Sequence, residues 1–222
     1  MQVNNRSIKR SSLGNLPIED KPLHILVIEF IENNISTFIN DYIDGKNEKG
    51  LNNNFVICMN NKRDKESFIF HHGYIEDTSS GNSSEVDIAV IINGSKKAFF
   101  VLEAKRLDTT LDKYREREYL IANKGNGGGI ERFKRDKHGN GLVLSGMIGY
   151  VQTDDFDTWK DKINSWIDEE IETKSSTDII WAIDDKLKEE NQTIKTARYS
   201  SSHNCISKKQ INLIHLWVKL NN

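Results

Sequence analysis

The chain has 222 residues, of which 36% are hydrophobic and 29% charged, with nine Phe and four Trp to build a core. That composition predicts one packed domain with modest decorations and excludes a disordered tail or a fibrous protein. The formal net charge of −2 excludes a uniformly basic nucleic-acid binder, so any affinity for phosphates must come from how the charges are distributed.

In chain order, residues 1–21 read as a polar, basic, flexible arm that ends near Pro17 and Pro22, the only two prolines. No apolar stretch follows the first twelve residues, so no secretory signal is expected. A helix is predicted from Pro22, a suitable first helical residue, to about Ile43, where Asp44-Gly45 stops it. Its apolar run, Leu23 to Ile31, is interrupted by His24 and Glu29 and falls well short of the roughly 20 residues a membrane span needs. A cytoplasmic protein with no membrane partner is the expectation. Two short runs, Phe55 to Met59 and Ser67 to His71, read as a hairpin. After a Ser/Gly/Asn loop from Thr78 to Ser84, Val86 to Ile92 and Ala98 to Ala104 are the most strand-like runs, joined by Asn93-Gly94-Ser95, a strong hairpin turn.

A charged helix is predicted over Thr109 to Asn123, a glycine loop over Gly125 to Gly129, a short helix over Ile130 to Lys137 and an apolar strand or buried turn over Leu142 to Val151. Phe156 to Ile171 carries Trp159, Ile163, Trp166 and Ile167 at helical spacing. Ile179 to Ile183 and Thr196 to Ser200 read as short strands, and Leu213 to Leu220 as a strand or a helix. The sum is an α/β domain with a central mixed sheet flanked by helices, residues 22–222, with its core over about 22–151 and an extension over 152–222.

The chemistry concentrates in the hairpin. Side chains two apart on a strand share a face, so Glu103 and Lys105 point the same way as Val101. Antiparallel pairing returns Asp87 to that same end. Two carboxylates and an ammonium suit phosphodiester hydrolysis: hard oxygens hold Mg²⁺, which keeps several waters and shares its shell with a substrate phosphate. Lys105 would position the attacking water or help deprotonate it.

Ser84-Glu85-Val86-Asp87-Ile88-Ala89-Val90 and Phe100-Val101-Leu102-Glu103-Ala104-Lys105 together resemble the PD-(D/E)xK nuclease superfamily. That family includes restriction enzymes, DNA-repair nucleases, junction resolvases and phage-defence effectors. The resemblance implies a restriction-endonuclease-like core, with Asp87 and Glu103 as metal ligands and Lys105 as the catalytic lysine. It also implies Mg²⁺ as cofactor, with Mn²⁺ able to substitute, DNA as substrate and a role in bacterial restriction or phage defence. The family's proline before the aspartate is replaced by Val86.

Many members add an acid on the first helix. Glu29, alone among apolar neighbours, is the first candidate for a catalytic and metal-binding role, because a buried carboxylate needs a partner; Glu32 is the fallback. Gln152 matches loosely a position where some relatives place a glutamine near the site.

From Lys105 to Lys137 ten Lys/Arg stand against six Asp/Glu, and from Asn191 to Asn222 five Lys/Arg meet no acid, while Asp154 to Glu190 is strongly acidic. Arg132, Lys134, Arg135 and Lys137, beside the glycine loop, are the candidates for holding nucleic-acid phosphates. That loop lacks the Lys-Ser/Thr of a nucleotide-binding P-loop. The two cysteines have neither metal-site spacing nor a paired His. Two rival readings remain open from the residues: a catalytically idle copy of the fold that binds nucleic acid or a partner protein, and a nuclease directed at RNA. A homodimer or a defence-system partner protein fits either.

Overall fold

A computed structural model describes residues 21–42, 47–77, 83–110, 113–122, 127–174 and 178–220. The arm expected over 1–21 lies, Lys21 excepted, outside them, as do the expected helix stop at Asp44-Gly45 and most of the loop over 78–84.

Two helices come first, α1 (Leu23–Asn40) and α2 (Glu48–Lys62). The second overturns the hairpin expected over Phe55 to His71. Phe55 to Met59 is helical because Leu51, Phe55, Val56 and Met59 bury one face at i, i+4, i+5 and i+8, and the Asn47 side chain caps the start by accepting from Gly50 N at 2.9 Å. The β-branched and aromatic content of the run, taken alone, points to a strand; the spacing with Leu51 decides for a helix.

Strands β1 (Phe68–Asp77), β2 (Ser83–Ile92) and β3 (Ala98–Leu107) form an antiparallel meander. Gly94, at φ +82°, makes the tight β2–β3 turn at the expected Asn-Gly. The helix expected over Thr109 to Asn123 is reduced to one turn, α3 (Lys113–Glu116), followed by a 3₁₀ turn (Arg117–Tyr119). Thr110 is instead folded back onto Asp108, whose carboxylate accepts from its backbone N at 3.0 Å and its hydroxyl at 2.7 Å. Then come α4 (Gly129–Lys134), β4 (Leu144–Val151) and α5 (Phe156–Thr173). The expected amphipathic face of α5 buries Trp159, Ile163 and Ile167.

The chain ends in β5 (Lys188–Gln192), β6 (Thr196–Asn204) and β7 (Gln210–Lys219). No strand forms over Ile179 to Ile183; that stretch leads into a 3₁₀ turn, Ile183–Asp185, with Ile180 and Ile183 largely exposed. The β5 strand went unforeseen because it is polar and exposed throughout, with no apolar alternation to read.

All seven strands join one mixed sheet in the order β1-β2-β3-β4-β7-β6-β5, with β4 parallel to both β3 and β7 at its centre. One apolar cluster, under α1 and α2, takes Phe100, Leu102 and Ala104 of β3; the other, under α4 and α5, takes Val101 and Leu107. Each large side chain fully buried there, Trp159 and Trp217 among them, contributes about 1.5–3 kcal/mol. Asn60 of α2 closes part of the free edge of β1, donating to Phe70 O at 2.9 Å and accepting from Phe70 N at 3.0 Å. Among the described residues no helix is long and apolar enough to cross a membrane.

Within the second cluster runs a continuous polar chain. Trp217 Nε1 donates to Tyr119 Oη (2.8 Å), which meets His215 Nδ1 (2.7 Å); His215 Nε2 meets Ser201 Oγ (2.7 Å), and Ser201 meets His203 Nε2 (2.6 Å). His203 Nδ1 then meets Asp185 (2.5 Å), which also takes Lys134 Nζ (2.7 Å). Burial holds both histidines below the usual imidazole range, so each carries one proton. With both neutral, a single proton assignment satisfies every link, running from the indole to the carboxylate.

Candidate functional site at the end of the β2–β3 hairpin

The β2–β3 register runs through Ile88↔Leu102, so Asp87, one position further, comes to lie beside Glu103. Asp87 Oδ2 accepts from Ala104 N at 2.9 Å. Lys105 Nζ reaches Glu103 Oε1 at 2.9 Å, Ala104 O at 2.8 Å and Asp87 Oδ2 at 3.8 Å. The three residues singled out in the sequence therefore converge on one point.

Two neighbours arrive that the sequence did not announce. Glu48, in the first turn of α2, accepts from Lys105 Nζ at 3.1 Å and from Arg106 N at 3.2 Å. His138 is buried with Nε2 3.3 Å from Glu103 Oε2 and Nδ1 3.3 Å from Ser84 Oγ. A signal for Glu48 was present, since an acid following Asn47 and preceding the Leu51-Phe55-Met59 spacing marks a helix start; none marked His138.

The helix acids read from the sequence lie elsewhere. Glu29 has a side chain 42% exposed and paired with Lys21 Nζ at 3.0 Å, so the premise of burial fails. It fails because α1 keeps a solvent stripe through Leu26, Asn33 and Ser36, and Glu29 sits on it. Glu32 is bound to Arg198 at 3.1 Å.

The basic residues also divide. Arg132 donates to Glu103 Oε1 at 2.6 Å, inside the cluster. Lys134 is fully buried, held by Asp185 and stacked 4.8 Å over the Trp181 ring, so it cannot reach a phosphate from outside. Arg135 is engaged by Glu131 (2.8 Å) and Asp178 (2.7 Å). Lys137 is part-exposed, with partial burial and then Arg135 drawing its pKa down. Gln152 accepts from Arg106 Nε and donates to Tyr42 Oη at 3.0 Å, which links it to the residue after Lys105. The expected glycine loop is described only from Gly127 onward.

The electrostatics are unbalanced. Burial, then the Glu103 charge, pushes Asp87 up to about 7, against the pull of Lys105 and the Ala104 N–H. Burial also acts to raise Glu103, yet Lys105, His138 and Arg132 override it and hold that carboxyl far below the usual range. Lys105 is driven the other way: burial disfavours its charge, but Glu103, Glu48 and Asp87 keep it firmly protonated. Lys105 and Arg132 both bind Glu103 Oε1, while Oε2, fully buried, has no aligned hydrogen-bond donor.

Among the described residues no group of three or more His, Cys, Asp and Glu is arranged to hold a metal as it stands. Mg²⁺ asks for less, since it accepts one or two carboxylates and completes its shell with water and substrate. Asp87 and Glu103 are the two carboxylates at this point that could supply such ligands. Compared with known proteins, the chain matches no family model, no curated protein and no solved structure.

Proposed function

We propose that the protein is a Mg²⁺-dependent nuclease of the PD-(D/E)xK type, hydrolysing phosphodiester bonds in DNA, with Asp87, Glu103 and Lys105 at its centre. The observation that supports this reading is the convergence of Asp87, the buried Glu103 carboxylate and a fixed ammonium on one strand end, with His138 Nε2 3.3 Å from Glu103 Oε2. Asp87, pushed up to about 7 by burial and the Glu103 charge, stands beside a carboxyl held far below the usual range, and such opposed shifts in neighbouring acids cluster at functional sites.

Asp87 and Glu103 would hold the ion, with Glu48 as the helix acid beside them. When bound, Mg²⁺ supplies an acidified water and neutralises charge growing on the phosphate. Lys105, kept protonated by three carboxylates, serves as a hydrogen-bond donor that orients the attacking water and contacts a phosphate oxygen. That assignment favours positioning over proton abstraction. Gln152 and Tyr42 fix Arg106 and so hold the end of β3 in place.

The test is incubation of the purified protein with plasmid, linear DNA and RNA, with and without Mg²⁺ or Mn²⁺. Metal-dependent cleavage of DNA, lost in Asp87→Asn, supports the reading. Cleavage of RNA alone would reassign the substrate. Metal-dependent cleavage that persists unchanged in Asp87→Asn and Glu103→Gln would overturn the site.

A further inference from the structure

Arg132 stands in an unusual position among the basic residues of its segment. Its guanidinium shares Glu103 Oε1 with Lys105 and also lies 3.4 Å from His138 Nε2, yet its side chain is 34% exposed. The root of the side chain is fixed: Nε donates to Gly127 O at 3.0 Å. The helix beneath it is pinned from the far side by Lys134 to Asp185 (2.7 Å), by Ile206 N to Lys134 O (2.8 Å) and by Cys205 Sγ to Phe133 O (3.4 Å). The guanidinium is one rigid plane, so it can leave Glu103 only by pivoting about the Gly127 bond or giving that bond up, with a buried carboxylate on one side and solvent on the other.

Two cations share one oxygen of Glu103, while the other faces the His138 ring at 3.3 Å, an uneven division of charge. Lys105 has three further acceptors in Ala104 O, Glu48 and Asp87; the acid Arg132 holds is Glu103 alone. Of the two, Arg132 is the one whose hold on Glu103 can be surrendered. A planar guanidinium is also the side chain best matched to two oxygens of a phosphodiester.

We propose that Arg132 is a hand-over residue: its guanidinium and a divalent cation are alternative partners of Glu103, and once released from that carboxylate it becomes the receptor for the substrate's phosphodiester anion. This rests on the nuclease reading and adds to it a coupling between cofactor loading and substrate affinity. The free protein keeps Glu103 neutralised by its own arginine. In the loaded protein the same arginine faces outward.

Calorimetric titration of the full chain with Mn²⁺ tests the first half, and fluorescence anisotropy of a labelled DNA duplex in Ca²⁺ tests the second. Arg132→Gln should bind Mn²⁺ roughly three- to tenfold tighter, because a competitor is gone, and bind the duplex roughly tenfold more weakly. Arg132→Lys keeps a charge for Glu103 but loses the fork, so it should hold Mn²⁺ nearly as the parent does and still lose duplex affinity. Thermal melts confirm that each variant is folded, and the lysine variant supplies the duplex comparison if the glutamine variant is not. Unchanged or weaker Mn²⁺ binding by folded Arg132→Gln overturns the hand-over and makes Arg132 a plain support of Glu103. Wild-type duplex affinity in both variants overturns the phosphate role. The separate failure of the metal site would show as no Mn²⁺ uptake by the parent, or equal uptake by Asp87→Asn; either takes the hand-over down with it.

Discussion

At the end of the β2–β3 hairpin, Glu48, Asp87 and Glu103 crowd around Lys105 and Arg132, and one carboxylate oxygen still has no aligned donor. Beneath β6 and β7 the seven side chains from Trp217 to Lys134 are buried as deeply, and their polar chain closes link by link. The second region even holds Asp185, His203 and Ser201 in the order of a hydrolytic triad. Yet the Ser201 hydroxyl is committed to a histidine on either side, and none of the three is more than 4% exposed. Residue types that could do chemistry do not make a site. Access to the outside and opposed pKa shifts in neighbouring acids do, and the hairpin end has both.

The comparison can be broken most directly by removing charges. Asp87→Asn, Glu103→Gln and Lys105→Ala should each lower cleavage by about 10²–10³-fold or more, the range lost when one preorganised electrostatic partner is removed. Asp87→Asn should at the same time raise the melting temperature by roughly 2–4 °C, since it relieves a buried like-charge contact with Glu103. A plasmid-nicking assay beside a calorimetric melt reads both, and a lower melting temperature would contradict the picture of strained charges.

Asp185→Ala should do the reverse. It strands the buried Lys134 ammonium and the His203 Nδ1–H, at a cost of about 3–5 kcal/mol in chemical denaturation. Cleavage by whatever remains folded should fall less than in the hairpin variants.

Acidity should separate the regions again. His203 and His215 have folded pKa values below the unfolded value of about 6.5. The unfolded chain therefore binds protons that the folded chain refuses. The stability from the polar chain is present above about pH 6.5 and is lost as pH falls below it. In an Asp87→Asn background, which removes a carboxyl whose raised pKa of about 7 would add stability over the same window, urea midpoints from pH 8 to 5 should decline, and His215→Gln should flatten that decline.

Two smaller effects sharpen the borders of the site. Glu48→Gln should weaken cleavage by about tenfold, in keeping with loss of one charge-assisted contact to Lys105. Glu29→Gln, bound to Lys21 on an exposed stripe, should cleave at the parental rate within error. Full activity in the first or a large loss in the second would move the helix acid back to α1.

The hairpin cluster was legible because local rules specify it. Strand alternation puts Glu103 and Lys105 on one face, and the turn at Asn93-Gly94 returns Asp87 to their end. Glu29 was read as buried, and Glu48 passed over, for two local reasons. Leu26 counted as buried made α1 look apolar all round, and the strand-like residues of Phe55 to Met59 hid the helical spacing that begins at Leu51. The basic segment misled because a tally of charges does not say which side of a short helix each faces; Lys134 turned out to be interior. The polar chain from Trp217 to Lys134 was beyond reach, since its links join residues as far apart in sequence as Tyr119 and Trp217, and no sequence period connects them.

The fastening of α4 to Asp185 and Ile206 has a consequence for the order of synthesis. Lys134 leaves the ribosome 72 residues before Ile206, its most distant anchor, a wait of roughly 4–14 s at bacterial or eukaryotic elongation rates. During that interval the acids and Lys105 can already be paired in their hairpin, while Lys134 still awaits its partner and Arg132 rides on an unfastened helix. The nascent protein thus gains the Asp87–Glu103–Lys105 cluster early and the platform for Arg132 late.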